Sequence, residues 1–333
     1  MERLRLNEIS EARATEDAVR EAAESVLGAE VHTVSPLPFG NINRVFKVES
    51  AARSCVVKVF TYAGWPEAGK LPWVESQLTL HGVPRARLLH YTRDDSLFPH
   101  GFSVSEFVEG ENCKAAVREG RLTPSRYFEL VGALLRRIHA IRPPRYGNVG
   151  DGAGTDEDFV GWLLACDLRD RMLEIGDGTR PAETLYPLIE RAVEPVLRRY
   201  ESRFRPALLH ADATPKNALL DGAGRFLLID WDEAIAGFWV KDYTNLTYWY
   251  SYIARQDDKR DGADEVANAF FRGYGEPGFD REELREIEHA LHTTQAADIL
   301  AYQYKFGDVG EFKRTREILL QLLDAPPARR SRT

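Results

Sequence analysis

The densest run of chemically capable side chains reads His210-Ala211-Asp212-Ala213-Thr214-Pro215-Lys216-Asn217, followed by Leu228-Ile229-Asp230-Trp231-Asp232. Pro215 blocks a helix, so Asp212 belongs to a loop. Residues 217–221 and 225–230 read as two short strands joined by the turn Asp221-Gly222-Ala223-Gly224, a hairpin centred near Ala223. Antiparallel pairing about that centre sets Asn217 roughly opposite Ile229 and Asp230. Asn217 and Asp230 then share the open end of the hairpin, and Asp212 lies just before it. Two hard oxygen ligands and one unpaired carboxylate converge there. Magnesium prefers such ligands and completes its shell with water and phosphate oxygens. A carboxylate beside the metal can take a proton from a hydroxyl.

The elements that must position this cluster follow from hydrophobic periodicity. Residues 15–27 read as an amphipathic helix, with Val19, Ala22, Ala23, Val26 and Leu27 on one side and Gly28 as its stop. Residues 44–49 and 55–60 read as a hairpin with Lys58 inside the second strand, and strands follow near 87–91 and 102–107. Pro72 opens one intervening helix. Residues 30–107 therefore predict an antiparallel sheet carrying one helix. The segment Glu106 to Asn112, with Gly110 inside it, reads as a hinge, and beyond it the chain is mostly helical. Pro124 to Ile141 is strongly amphipathic. Only the segment between Ala207 and Trp231 interrupts the helical pattern, and it carries the cluster.

Composition narrows the partners. The chain has 333 residues, 44% hydrophobic and 29% charged, an ordinary globular balance with room for a large core. Its formal charge of −8 argues against a nucleic-acid partner and suits a cationic small molecule. No apolar run approaches the roughly 18 residues of a membrane span, and Met1 to Leu6 lead into no apolar stretch. Three scattered cysteines, Cys55, Cys113 and Cys166, predict a reducing, cytoplasmic setting without disulfides. Lysine is scarce, 9 residues against 35 arginines, so Lys58 among apolar neighbours stands out.

His210, Asp212 and Asn217 match the catalytic loop H-G-D-x-x-x-x-N, and Ile229-Asp230-Trp231 matches a metal-binding step. On these residues the chain resembles the aminoglycoside phosphotransferase and choline kinase family. The resemblance covers about residues 30–310. It implies an α+β, bilobal, protein-kinase-like fold, with an N-terminal antiparallel sheet lobe carrying one helix and a mostly helical C-terminal lobe. The implied division is a nucleotide-binding lobe over 1–107, a catalytic and acceptor-binding lobe over 108–325, and a disordered tail over 326–333.

The resemblance also implies roles. Asp212 is the catalytic base. Asn217 and Asp230 hold Mg2+, and Lys58, paired with Glu75, holds the phosphates of ATP. Gly40 and Asn43 lie in the loop covering those phosphates. The Ser105 carbonyl and Phe107 amide meet the adenine edge, and Asp242 steadies the catalytic loop. Two departures stand out: Ala211 replaces the usual Gly, and Lys216 stands where Gly is common.

The activity implied is an ATP- and Mg-dependent kinase acting on a hydroxyl of a polar, cationic small molecule, such as an aminoglycoside-like antibiotic or amino sugar. The alternatives are kinases of choline, homoserine or methylthioribose type, or a non-catalytic nucleotide-binding regulator. Eleven residues between Asp230 and Asp242 are too few for the peptide-docking segment of a protein kinase. No P-loop motif occurs. Acidic residues between Asp151 and Asp170, with Trp162, and aromatic residues between Asp242 and Tyr252 are the predicted acceptor lining. His210 reads as a loop-holding residue, Asp232 as either a supporting or a solvated carboxylate, and His289 and His292 as surface residues.

Overall fold

The computed structural model describes residues 15–37, 42–51, 53–150, 156–173, 181–254, 261–306 and 309–324. Gly40, Asp151 and the tail 326–333 lie outside them. Helix α1 (Glu16–Leu27) starts at Thr15, whose hydroxyl accepts the Ala18 amide at 3.2 Å. It stops where Gly28 turns left-handed at φ 62° and donates its amide to the Glu24 carbonyl.

A five-stranded antiparallel sheet follows, built from β1 (Val31–Pro36), β2 (Arg44–Ser50), β3 (Ser54–Val59), β4 (Leu88–Thr92) and β5 (Phe102–Glu106) in the order β1-β2-β3-β5-β4. Its inward alternation, Val48, Cys55, Val57, Val59 and Val104, packs with Val19, Ala22 and Ala23 of α1. The period of two then turns Lys58 to the opposite face, towards the rest of the chain. Helix α2 (Lys70–Leu80) starts two residues before Pro72. Proline is accommodated there because the first four amides of a helix have no intrahelical partner. The face of α2 that is buried carries Lys70, Leu71, Val74 and Leu78.

Three short strands, each two or three residues long, carry no alternation and were not legible in the sequence. They are β6 (Gly110–Asn112), β7 (Gly147–Asn148) and β11 (Ile235–Gly237). Between β7 and β11 in the chain come β8 (Ala207–Leu209), β9 (Ala218–Asp221) and β10 (Phe226–Leu228). The expected hairpin is β9–β10, and its pairs Phe226–Leu220 and Leu228–Ala218 both centre on residue 223. Strand β6 adds to the other edge of β9, while β11 lies between β7 and β8.

Helices α3 (Cys113–Arg118), α4 (Pro124–Ile138), α5 (Pro181–Tyr200), α6 (Val240–Tyr248), α7 (Ala263–Tyr274), α8 (Arg281–Phe306) and α9 (Val309–Asp324) enclose the larger core. Helices α4 and α7 meet backbone to backbone at two glycines. A Cβ on Gly132 would stand 2.4 Å from the Phe270 carbonyl oxygen, and one on Gly273 2.0 Å from that of Glu129. Among the described residues no helix is long and apolar enough to cross a membrane.

His292 on α8 is buried, not a surface residue, because its face of the helix packs against α6. Its Nε2 meets the Thr247 hydroxyl at 2.9 Å, and Tyr248 and Tyr252 flank the ring. Burial, aided by the neighbouring His289, depresses its pKa to about 3. The ring is therefore neutral, and Glu288 at 3.7 Å forms no ion pair with it.

An imidazole that takes a proton near pH 6.5 when unfolded but only near 3 when folded stabilises the fold fully above pH 6.5. That contribution is lost as pH falls between the two values. His292→Gln should flatten this part of the stability–pH curve, worth up to roughly 5 kcal/mol over the full window. Glu233, raised by burial to about 7, slopes the opposite way between about 4.5 and 7. The check is therefore the difference between wild type and variant in urea midpoints from pH 7.5 to 4. A difference independent of pH would refute it.

Candidate active site

Residues 210–217 form a loop held from beneath. Asp242, fully buried at the start of α6, accepts the His210 amide at 2.9 Å and the Ala211 amide at 2.7 Å. Its Oδ2 also meets His139 Nε2 at 3.0 Å, and His139 Nδ1 meets the Tyr274 hydroxyl at 3.0 Å. Burial opposes the Asp242 charge, but the His139 hydrogen bond and surrounding charges lower its pKa overall. His139 and Tyr274 escaped sequence reading, since neither lies near a motif.

His210 is fully buried. Its Nε2 donates to the Ile229 carbonyl at 3.0 Å and its Nδ1 accepts the Asp212 amide at 3.3 Å, which assigns the neutral tautomer. Burial lowers its pKa, in keeping with a loop-holding role. Ala211 sits at φ 61°. A left-handed backbone costs a residue with a Cβ roughly 1–2 kcal/mol, which is why glycine suits this position. Here the amide bond to Asp242 and a 2.6 Å bond from Asn245 Nδ2 to the Ala211 carbonyl hold the alanine in place.

Asp212 is not the unpaired carboxylate expected from the sequence. Thr214 Oγ1 donates to Oδ1 at 3.1 Å, and Asn217 Nδ2 and Lys216 Nζ approach Oδ2 at 2.9 and 2.8 Å. The short helical turn at Pro215–Asn217 brings both groups back towards Asp212. Burial opposes charge on Lys216, but Asp212 outweighs it and raises the ammonium pKa. Asn217 also donates Nδ2 to the Asp212 carbonyl at 3.0 Å, while the Ile229 amide donates to the Asn217 carbonyl at 2.9 Å. The amide is thereby fixed with Oδ1 outside these bonds. Asp230 stands at φ 66°, half-exposed, with Oδ1 on Lys58 and Oδ2 beside it. One amide oxygen and one carboxylate oxygen are the hard donors that suit Mg2+.

Lys58 reaches Asp230 Oδ1 at 2.6 Å and Asp232 Oδ1 at 3.0 Å. Burial works against all three charges. The two carboxylates nevertheless raise the lysine, and Lys58 lowers Asp230, whereas burial prevails at Asp232 and raises it. The expected Lys58–Glu75 pair is not formed. Glu75 accepts Arg85 Nε and Nη2 at 2.9 and 2.7 Å and the Leu88 amide at 3.2 Å. At about 100° per residue, Glu75 lies about 140° around α2 from buried Lys70, so the two face different neighbours. The helix residue that reaches the site is Lys70, whose Nζ donates to the Asp232 carbonyl at 3.1 Å and forms an ion pair with Glu67 at 2.5 Å.

Two further expectations change. Asn43 is buried and donates Nδ2 to Asp232 Oδ2 at 2.9 Å, tying the start of β2 to the loop at residues 230–232. The Phe107 amide donates to the Ser54 carbonyl at 3.3 Å, because pairing with β3 runs one residue past the end of β5. It is therefore not a free donor for an adenine edge. Ser105 is half-buried on β5, paired with Val56.

Over residues 33–287 the sequence matches the family described as the phosphotransferase enzyme family. The chain belongs to this family. No curated protein matches the phosphotransferase by sequence. Its fold is that of aminoglycoside phosphotransferase APH(4)-Ia, with a TM-score of 0.66 and 16% identity over 93% of this chain and 98% of the other. A thermostable mutant of that enzyme is known in ternary complex with AMP-PNP and hygromycin B. Spectinomycin phosphotransferase APH(9)-Ia, complexed with ADP and spectinomycin, aligns with a TM-score of 0.58 and 15% identity over 93% and 98%. LicA complexed with AMP gives 0.60 and 17% over 92% and 98%.

Part of the predicted acceptor lining of the phosphotransferase is structural. Tyr243, Tyr248 and Tyr250 are buried core, with Tyr243 packed on Phe270 and Phe271. Asp158 caps a helical turn through the Gly161 amide and pairs with Arg198 at 2.7 Å, and Trp162 is buried. Apolar rings at helical spacing serve the core first, since that is what folds α6 onto α7 and α8.

Proposed function

We propose that this phosphotransferase transfers the γ-phosphate of ATP, with Mg2+, to a hydroxyl of a polar, cationic small molecule of the aminoglycoside or amino-sugar type. The observation carrying this reading is the meeting of Asp212, Asn217, Asp230 and Lys58, drawn from the loop, the hairpin and the sheet. Asn217 and Asp230 would hold the metal, which would supply positive charge against the phosphate oxygens. Lys58 offers a fixed ammonium to the phosphates. Asp212 orients the acceptor hydroxyl and takes its proton as the oxygen attacks the γ-phosphorus, the bond to the β–γ bridging oxygen breaks and ADP leaves. Thr214, Lys216 and Asn217 hold its carboxylate against rotation, so little is left to reorganise.

A cationic acceptor is supported by the net charge of −8 and by Glu233, half-buried directly after Asp232. Burial holds the Glu233 carboxyl at a pKa of about 7 against the opposing pull of Arg171 and Lys70, with Asp298 and Asp212 adding to the rise. An ammonium docking there would draw out its full charge. The neighbours solved with hygromycin B and spectinomycin support an amino-sugar-like acceptor. The test is ATP-dependent phosphorylation across a panel of hydroxyl compounds matched in size, cationic against neutral. Cationic members should be turned over at least tenfold more efficiently, and turnover confined to neutral or anionic members would sink the cationic reading.

A further inference from the structure

Lys58 has two carboxylate partners, and they differ in kind. Asp230 is half-exposed and carries the free oxygen suited to a metal. Asp232 is buried and committed on every side. Its Oδ1 takes Lys58 at 3.0 Å, its Oδ2 takes Asn43 at 2.9 Å, and its carbonyl takes Lys70 at 3.1 Å. Those three donors come from β3, the start of β2 and the first turn of α2. Turning Asp232 to a metal would pull its carboxylate away from buried donors and leave them unsatisfied. Glu75, the helix carboxylate that could otherwise hold the lysine, has both oxygens occupied by Arg85 and the Leu88 amide.

We propose that Asp232, and not Glu75, is the positioning residue that orients Lys58 towards nucleotide phosphates, leaving Asp230 to the metal. The job of a helix carboxylate is thus moved to the metal-step loop, and α2 contributes Lys70 to hold that loop instead. This rests on the nucleotide-binding reading above. An isolated lysine on a sheet face would sample several rotamers, whereas an ion pair to a carboxylate fixed by other bonds keeps one.

The experiment measures affinity for Mg·AMP-PNP by calorimetry, with thermal melts as the folding control. Asp232→Asn should weaken binding at least tenfold, and Glu75→Gln should stay within about twofold of wild type. In a Lys58→Ala background Asp232→Asn should change affinity less than twofold, because the two act through one contact. Effects that multiply independently would mean that Asp232 merely supports the fold, and would overturn the proposal. So would a folded Glu75→Gln that loses tenfold. If Asp232→Asn does not fold, the Glu75→Gln result decides alone by the same two limits. A wild-type chain that fails to bind Mg·AMP-PNP removes the nucleotide reading and this proposal together. Normal wild-type binding with an unchanged Asp232→Asn removes only the proposal.

Discussion

Asp212→Ala should lower kcat by roughly 10²–10⁴-fold and leave nucleotide affinity within about twofold of wild type. The two outcomes separate because, in the proposed mechanism, the side chain serves the acceptor and other groups serve the phosphates. Asn217 keeps its bond to the Asp212 backbone carbonyl, so the metal-side amide stays oriented after the carboxylate is gone. Lys216 loses its partner, but its side chain is half-exposed and water can solvate it. Steady-state kinetics with a turned-over acceptor, paired with calorimetry, checks both halves. Near-normal turnover would show that Asp212 is not the base.

Asp230→Asn should raise the magnesium concentration needed for half-maximal activity by at least tenfold and lower kcat by on the order of 10²-fold. The substitution is a clean one. Asp230 occupies a left-handed backbone, which asparagine tolerates as well as aspartate does. Lys58 keeps Asp232 when the Asp230 charge is removed. What disappears is one formal charge from a site with one carboxylate and one amide. A magnesium titration superimposable on that of wild type would contradict the assignment.

The aromatic run after Asp242 shows where sequence reading reached its limit. Spacing placed Tyr243, Tyr248 and Tyr250 on a helix, but not which face meets the core and which meets a cleft. The same holds for Glu75. Its helix was legible from Pro72 and the apolar spacing, yet the phase of that helix is set by packing of Leu71, Val74 and Leu78. That phase hands the site Lys70 and turns Glu75 to Arg85.

Local chemistry was enough to read the hairpin centred on residue 223, since turn residues and strand alternation are short-range and define a register without help from the rest of the chain. The loop bearing Asp212 followed from Pro215 for the same reason. The three short strands β6, β7 and β11 had no such signal, because their two or three residues show no alternation and no flanking hairpin turn marks them. The partners of Lys58, Asp212 and His210 were likewise hidden. Ion pairs such as Lys58–Asp232 join residues 174 positions apart, so only the packing of the sheet against the helical part decides which carboxylate a given cation meets.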